Sequence, residues 1–210
     1  MIPDPVRIYH ITPIEDLSSI ISCGGLHSSH KLEALRLKPR SIAYANIQSR
    51  RDTWPVPCGS QGTVHDYVPW MFGTRSPMLY AISQGKVPDV VGQGNIVYLV
   101  SNVEQVCEYQ FSFVFTNGHA TMALTNYYED LIDLNKVNWP LMKSRDWFNT
   151  PQNPDRKRQR QAEFLVHDWF PWELVKGIGV IDNYRLELVN SLLRESEHKP
   201  IARIMRNWYY

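Results

Sequence analysis

Asp155-Arg156-Lys157-Arg158-Gln159-Arg160-Gln161-Ala162-Glu163-Phe164-Leu165-Val166 sets four cations and one carboxylate in six residues directly before an apolar run. A strand over Ala162 to Val166 alternates its side chains, so Gln161 and Glu163 share one face while Phe164 and Val166 take the other. The stretch therefore puts a carboxylate at the margin of a buried sheet, beside a local basic patch. Taken alone, it fits a plainer structure better: Glu163 on a solvated edge and the basic run as an exposed loop.

Outward from this strand, the rest of the chain mixes strands and helices without regular alternation. Val6 to Ile11 reads as a strand. Thr12-Pro13-Ile14-Glu15 then offers a capping residue, a proline at the first helical position and a glutamate three residues after the cap, and Gly24-Gly25 ends that helix. Leu32 to Leu37 reads as a short helix or turn, and Ile42 to Arg51 as a strand running into a helical turn. Residues 53–63, rich in proline and glycine, read as a structured loop. Asn95 to Val100, Phe111 to Phe115 and Gly177 to Ile181 read as strands, with a helix containing Tyr127 to Leu131 and another over Leu186 to Leu193. Ile201 to Met205 is extended. Such a pattern predicts an α+β fold rather than a doubly wound sheet, and 210 residues with 43% hydrophobic content predict one domain over 1–210.

Lys and Arg total 22 against 21 for Asp and Glu, a formal charge of +1, so any grip on nucleic acid must be local rather than a general positive field. The cysteines, Cys23, Cys58 and Cys107, are odd in number and widely spaced, unlike a disulfide framework. Cys23, His27 and His30 tempt a zinc reading, but no second ligand pair follows at finger spacing, so no metal is expected. With no apolar leader at the N-terminus and no run of about 20 apolar residues, a cytoplasmic protein is expected.

A Gln-x-Glu pair hydrogen-bonds a ligand from two adjacent points. In glycosyl transfer, a carboxylate that accepts from a ribose hydroxyl orients the sugar and stabilises an oxocarbenium-like transition state. It also serves to withdraw a proton from the nucleophile. His10 and Thr12 share a face of the first strand beside a helix N-terminus, a position that suits an anionic group, although a lone strand histidine is commonly a satisfied core residue. Arg50 and Arg51 reach phosphate or sit on the surface. Tyr67, Trp70, Phe72, Tyr80, Trp147, Trp169 and Trp172 offer rings for base stacking, with most expected in the core. A binding module without catalysis and a nuclease using His65, His119 and His167 both remain compatible with these residues.

Read together, Ile8-Tyr9-His10-Ile11-Thr12, Gly24-Gly25-Leu26-His27, Ile47-Gln48-x-Arg50-Arg51, Val56-Pro57-Cys58-Gly59, His65-Asp66-Tyr67-Val68-Pro69, Ser76-Pro77-Met78-Leu79-Tyr80, Phe115-Thr116-Asn117-Gly118-His119-Ala120 and Arg160 to Val166 resemble the DarT family, in order, from residue 8 to about residue 181. The resemblance implies an ADP-ribosyltransferase fold with a split, mixed β-sheet core. It further implies a toxin that moves ADP-ribose from NAD⁺ to thymidine in single-stranded DNA, without a metal, opposed by a DarG-like macrodomain antitoxin. On it, Glu163 is the catalytic glutamate and Arg51 the catalytic arginine, with Arg50 the neighbouring alternative. His10, Thr12, Gly25, Leu26 and Arg51 contact NAD⁺, and Arg75, His119 and Arg158 contact DNA. An acceptor in RNA or protein is the alternative within the same chemistry.

Overall fold

The computed structural model describes residues 1–37, 42, 44–87 and 92–210. The chain opens with β1 (Arg7–Pro13), a 3-10 turn over Ile14–Asp16 and α1 (Leu17–Ser22), then β2 (Gly25–His27), α2 (Ser29–Ala34) and α3 (Ala45–Thr53). After a 3-10 turn over Val64–Asp66 come β3 (Tyr67–Met71), α4 (Pro77–Ser83), β4 (Ile96–Asn102), α5 (Val103–Glu108), β5 (Phe113–Thr116) and β6 (Tyr127–Tyr128). The last part supplies α6 (Trp139–Lys143), α7 (Arg156–Gln159), β7 (Glu163–His167), β8 (Trp169–Pro171), β9 (Gly177–Val180), α8 (Asn183–Leu192) and β10 (Ile201–Ile204).

Among the described residues the strands form an eight-stranded sheet in the order β10-β9-β4-β1-β3-β7-β5-β6, with β2 and β8 paired beside it. The sheet is mixed, because β10 runs parallel to β9 and the other neighbours are antiparallel. This is the α+β architecture expected. The sheet is split at its middle: β1 pairs with β4 along its full length but meets β3 in register only at Tyr9 and Met71. Pro69 in β3 has no N–H to give a ladder, and its carbonyl oxygen is met by Nδ1 of His10 at 2.7 Å.

Period-two alternation sorts the strands between cores. Ile8, Trp70, Leu99, Phe115, Phe164 and Val166 pack into the main core on one face. On the other face, Tyr67, Val114 and Leu165 pack together, while Ile96 and Tyr98 join Leu79, Ile82 and Tyr209 in a third group. Glu163 lies one residue before Phe164 and therefore turns away from the main core, at the start of a strand held between β3 and β5.

Three local expectations are corrected. Thr12 caps no helix, because Pro13 stays extended and pairs with Ile96; the first turn begins at Ile14 without a side-chain cap. Ile42 to Arg51 contains no strand among its described residues and is helical from Ala45; positions 41 and 43 lie outside the described residues. Tyr127 and Tyr128 are paired with β5 rather than helical, and the Tyr128 ring stacks on Phe115, a cross-strand contact that local propensity does not register. No helix among the described residues is long and apolar enough to cross a membrane.

Candidate active site

The split in the sheet opens into a cleft of about 1120 Å³ lined by His10, Thr12, Gly25, Leu26, Gln48, Arg51, Met71, His119, Gln161 and Glu163, among others. At its floor Glu163 is fully buried. One carboxylate oxygen, Oε2, accepts from Nη1 of Arg51 at 2.9 Å, and Oε1 accepts from the backbone N–H of Ala120 at 2.9 Å. Its own N–H donates to Oγ1 of Thr116 at 3.0 Å, and that hydroxyl donates to the carbonyl of Gly118 at 2.7 Å. The solvated-edge reading of Glu163 is therefore overturned. Gln161 borders the same cleft, with its amide donating to the carbonyl of Lys157 at 3.0 Å.

Of the adjacent arginines, Arg51 is the one that reaches the glutamate. Gln48, Arg51 and Asp52 fall three and four residues apart on one side of α3, whereas Arg50 is exposed. Both arginines sit in the last turn, where cations suit the negative end of the helix. Nη2 of Arg51 is buried without a hydrogen-bond partner. A guanidinium with one nitrogen held by a carboxylate and another unsatisfied inside a cleft is set up to receive an anion.

The expected first-strand and loop residues also converge here. Burial pushes the His10 imidazole below its ordinary value despite the bond to Pro69, so the ring is neutral at pH 7. A carbonyl only accepts, which places the proton on Nδ1 and leaves Nε2 as an acceptor. Gly25, at the cleft wall, has φ +147°, and a Cβ there would collide with the carbonyl of Phe170 across the β2–β8 pair, so β2 approaches β8 this closely only as glycine. His119 is held below its ordinary value, mainly by burial, and Nδ1 of its ring accepts from the N–H of Thr121 at 3.3 Å.

Two of the residues expected at DNA lie outside this cleft. Arg75 lines a second groove of about 620 Å³ with Arg7, Lys143 and Arg145, its guanidinium 5.5 Å from the Tyr210 ring centroid. Arg158 is turned inward: its Nε donates to Asp155 at 2.8 Å, and its Nη1 to Asn117 at 3.2 Å and Thr125 at 3.0 Å. Its guanidinium braces the loop that presents His119 and Ala120, so a direct contact with DNA is not what its geometry offers. Cys23, His27 and His30 do not converge either; His27 bonds the carbonyl of Cys23 and stacks near Trp169, while His30 turns to Asp52 and Asp66.

Sequence reading named Trp147 as a ring for base stacking but missed Phe148, which stacks on it with ring centroids 4.1 Å apart and is exposed at the cleft rim. It also missed the His30–Asp52–His65 cluster. The aromatic doublet itself is visible in the sequence, but nothing local places it against Tyr80 of α4, distant in the chain.

The family described as "ssDNA thymidine ADP-ribosyltransferase, DarT" matches residues 9–210. A Thermus aquaticus protein named DNA ADP-ribosyl transferase is 39% identical over 99% of this chain and 90% of its own length. The structure of Thermus sp. 2.9 DarT in complex with ADP-ribosylated ssDNA superposes with a TM-score of 0.92 at 36% identity, covering 99% of this chain and 98% of that one. The same Thermus protein in complex with NAD⁺ gives a TM-score of 0.88 at 32% identity, covering both chains fully.

Proposed function

The chain belongs to the DarT family of ssDNA thymidine ADP-ribosyltransferases, and from that premise we propose how its cleft carries out the transfer of ADP-ribose from NAD⁺ to thymidine in single-stranded DNA. The observation that carries the reading is the buried Arg51–Glu163 pair at the cleft floor, with Nη2 of Arg51 unsatisfied.

Arg51 receives the NAD⁺ pyrophosphate on its free nitrogen, while His10 accepts a substrate N–H or O–H on Nε2. Thr12, Gly25 and Leu26 form the wall against which the nucleotide lies. An ionised carboxylate has about four acceptor sites, so after Arg51 and Ala120 are served Glu163 still accepts from a ribose hydroxyl. That bond strengthens as positive charge develops on the sugar and its link to nicotinamide breaks. A ring nitrogen of thymine then bonds the anomeric carbon, nicotinamide leaves with its electron pair, and the thymine proton passes to Glu163 and on to water. Duplex DNA is a poor acceptor because pairing occupies that ring edge and flipping costs a few kcal/mol.

His119 faces the acceptor from within the cleft, Phe148 offers a ring for a base, and Arg75 takes a phosphate along the neighbouring groove. Arg158 supports this side through the loop it braces. Residues 1–210 are read as one domain, since one eight-stranded sheet takes in both β1 and β10. The biological reading is a toxin that blocks replication by modifying DNA in a sequence-specific manner, with a DarG-like macrodomain antitoxin as its partner. These rest on the family's organisation.

Incubation of a thymidine-containing single-stranded oligonucleotide with protein and NAD⁺ should add one ADP-ribose by intact mass. The gain should vanish with a thymidine-free oligonucleotide or with Glu163→Ala. NAD⁺ consumption without mass gain on any thymidine context would redirect the acceptor to RNA or protein.

A further inference from the structure

No residue within α3 is buried; among the described residues its apolar packing lies at its two ends, where Tyr44 and Trp54 rest against separate cores. Apart from the Arg51–Glu163 contact, two polar straps on the same side of α3 hold it. In the first, His30 stands between two carboxylates, with Nε2 2.8 Å from Oδ1 of Asp52 and Nδ1 2.8 Å from Oδ1 of Asp66. In the second, Nε2 of His65 lies 2.9 Å from Oε1 of Gln48, and its Nδ1 faces Asp52 at 3.5 Å. Asp66 is itself fixed, accepting from the N–H of Thr63 at 2.7 Å. His30 thus links an anchored carboxylate before β3 to the last turn of the arginine helix.

Ionised carboxylates only accept, and a neutral imidazole has one N–H. A neutral His30 would turn a lone pair on one of its two partners at 2.8 Å. Both contacts are hydrogen bonds only when both ring nitrogens carry protons. We propose that His30 is held as an imidazolium bridging Asp52 and Asp66, and that this bridge positions Arg51 against Glu163 and the NAD⁺ pyrophosphate. The inference rests on the proposed role of Arg51. His30 acts through α3, without touching substrate.

The charged groups around His30 agree with this. Asp66 first and Asp52 second raise its pKa above 6.5, and both aspartates are held below the ordinary carboxylate value. His65, at 5.6 Å between ring centroids, is held below its ordinary value, mainly by burial and then by Arg51, so it adds no competing cation at pH 7. Lys31, next to His30, is turned to Asp168 at 3.3 Å. Because the folded pKa is raised, the bridge is complete below pH 6.5 and is lost as pH rises through the folded value. An ion is not needed, since two protons on His30 satisfy both 2.8 Å contacts.

The test combines a side-chain ¹⁵N NMR titration of the full chain with kcat/KM for NAD⁺ from pH 5.5 to 9. His30 should titrate above 6.5 in the wild type and return toward 6.5 in Asp52→Asn. The alkaline fall of kcat/KM should follow the same ionisation and flatten in Asp52→Asn. His30→Ala should lower kcat/KM about 10- to 100-fold, mostly through KM, with modified thymidine still the product. A wild-type His30 that titrates at or below 6.5 would overturn the bridge, as would an alkaline limb unchanged in both variants. Stoichiometric zinc whose removal by EDTA abolishes activity would overturn it in favour of a metal clamp. If the wild type consumes no NAD⁺ at any pH, the proposed function fails, while the imidazole titration still decides the bridge.

Discussion

Each contact of Glu163 has a separate mutational consequence. Glu163→Gln keeps the size and an acceptor for Ala120 but removes the charge that answers the developing oxocarbenium. The turnover rate should fall by roughly 10²–10³, while NAD⁺ still binds by calorimetry; undiminished turnover would remove Glu163 from the chemistry. Arg51→Ala leaves a buried carboxylate without its cation and should cost about 3 kcal/mol in denaturant unfolding, near the lower bound for such pairs because cleft water reaches the gap. Thr116→Val keeps shape but strands the Glu163 N–H and the Gly118 carbonyl. A loss of about 1–3 kcal/mol is expected, and a variant as stable as the wild type would mean that water replaces the hydroxyl. The Gln-x-Glu pair was visible in the sequence, but by itself it favoured a solvated edge, and the role of Glu163 came from the family resemblance; Thr116 was not legible. Its role depends on β5 lying beside β7, and no spacing within 113–116 announces that pairing.

At the scale of elements, the split between β1 and β3 makes the cleft and is also the place where the fold is thinnest. His10 stitches it through Pro69 in the neutral state. With its folded pKa depressed below 6.5, the unfolded chain takes up the proton first, so the stabilisation present above pH 6.5 is lost as pH falls through the folded value. Thermal unfolding between pH 7.5 and 5 should therefore show a Tm that declines on acidification, and less steeply in His10→Gln; identical slopes would show that the stitch carries no linkage. The β2–β8 pair closes the cleft from the side, and Gly25→Ala should destabilise it by at least the 1–3 kcal/mol of a strained φ. Strands with strong apolar runs, β4, β7 and β9, were readable because burial on both faces writes itself into composition. The edge strand β6 and the capless start at Ile14 were not, since each was decided by a partner strand rather than by its own residues.

Over the whole molecule, a net charge of +1 means that steering by a global field contributes little to DNA capture. Affinity for a single strand must come from stacking and from cations gathered in one place, and Arg7, Arg75, Lys143 and Arg145 are gathered in the groove beside the cleft. None of the four is a neighbour of another in sequence except through the short Lys143–Arg145 stretch, so this grouping is not legible in the sequence. The cations of residues 156–160 face inward to a large extent: Arg158 is bound to Asp155, Arg160 is buried and donates to the carbonyl of Thr74, and Arg156 donates to Ser144. If the strand's phosphates follow the groove, binding should weaken with salt at a slope of roughly −0.7 in log K against log salt per contacted phosphate. Arg75→Ala should reduce that slope by roughly 0.7, while leaving NAD⁺ binding unchanged because the residue lies outside the cleft. The measurement is fluorescence anisotropy of a labelled thymidine-containing oligonucleotide across a salt series. A slope identical in the wild type and Arg75→Ala would route the phosphates past Lys157 at the cleft rim instead, and Lys157→Ala would then be the variant whose slope must fall.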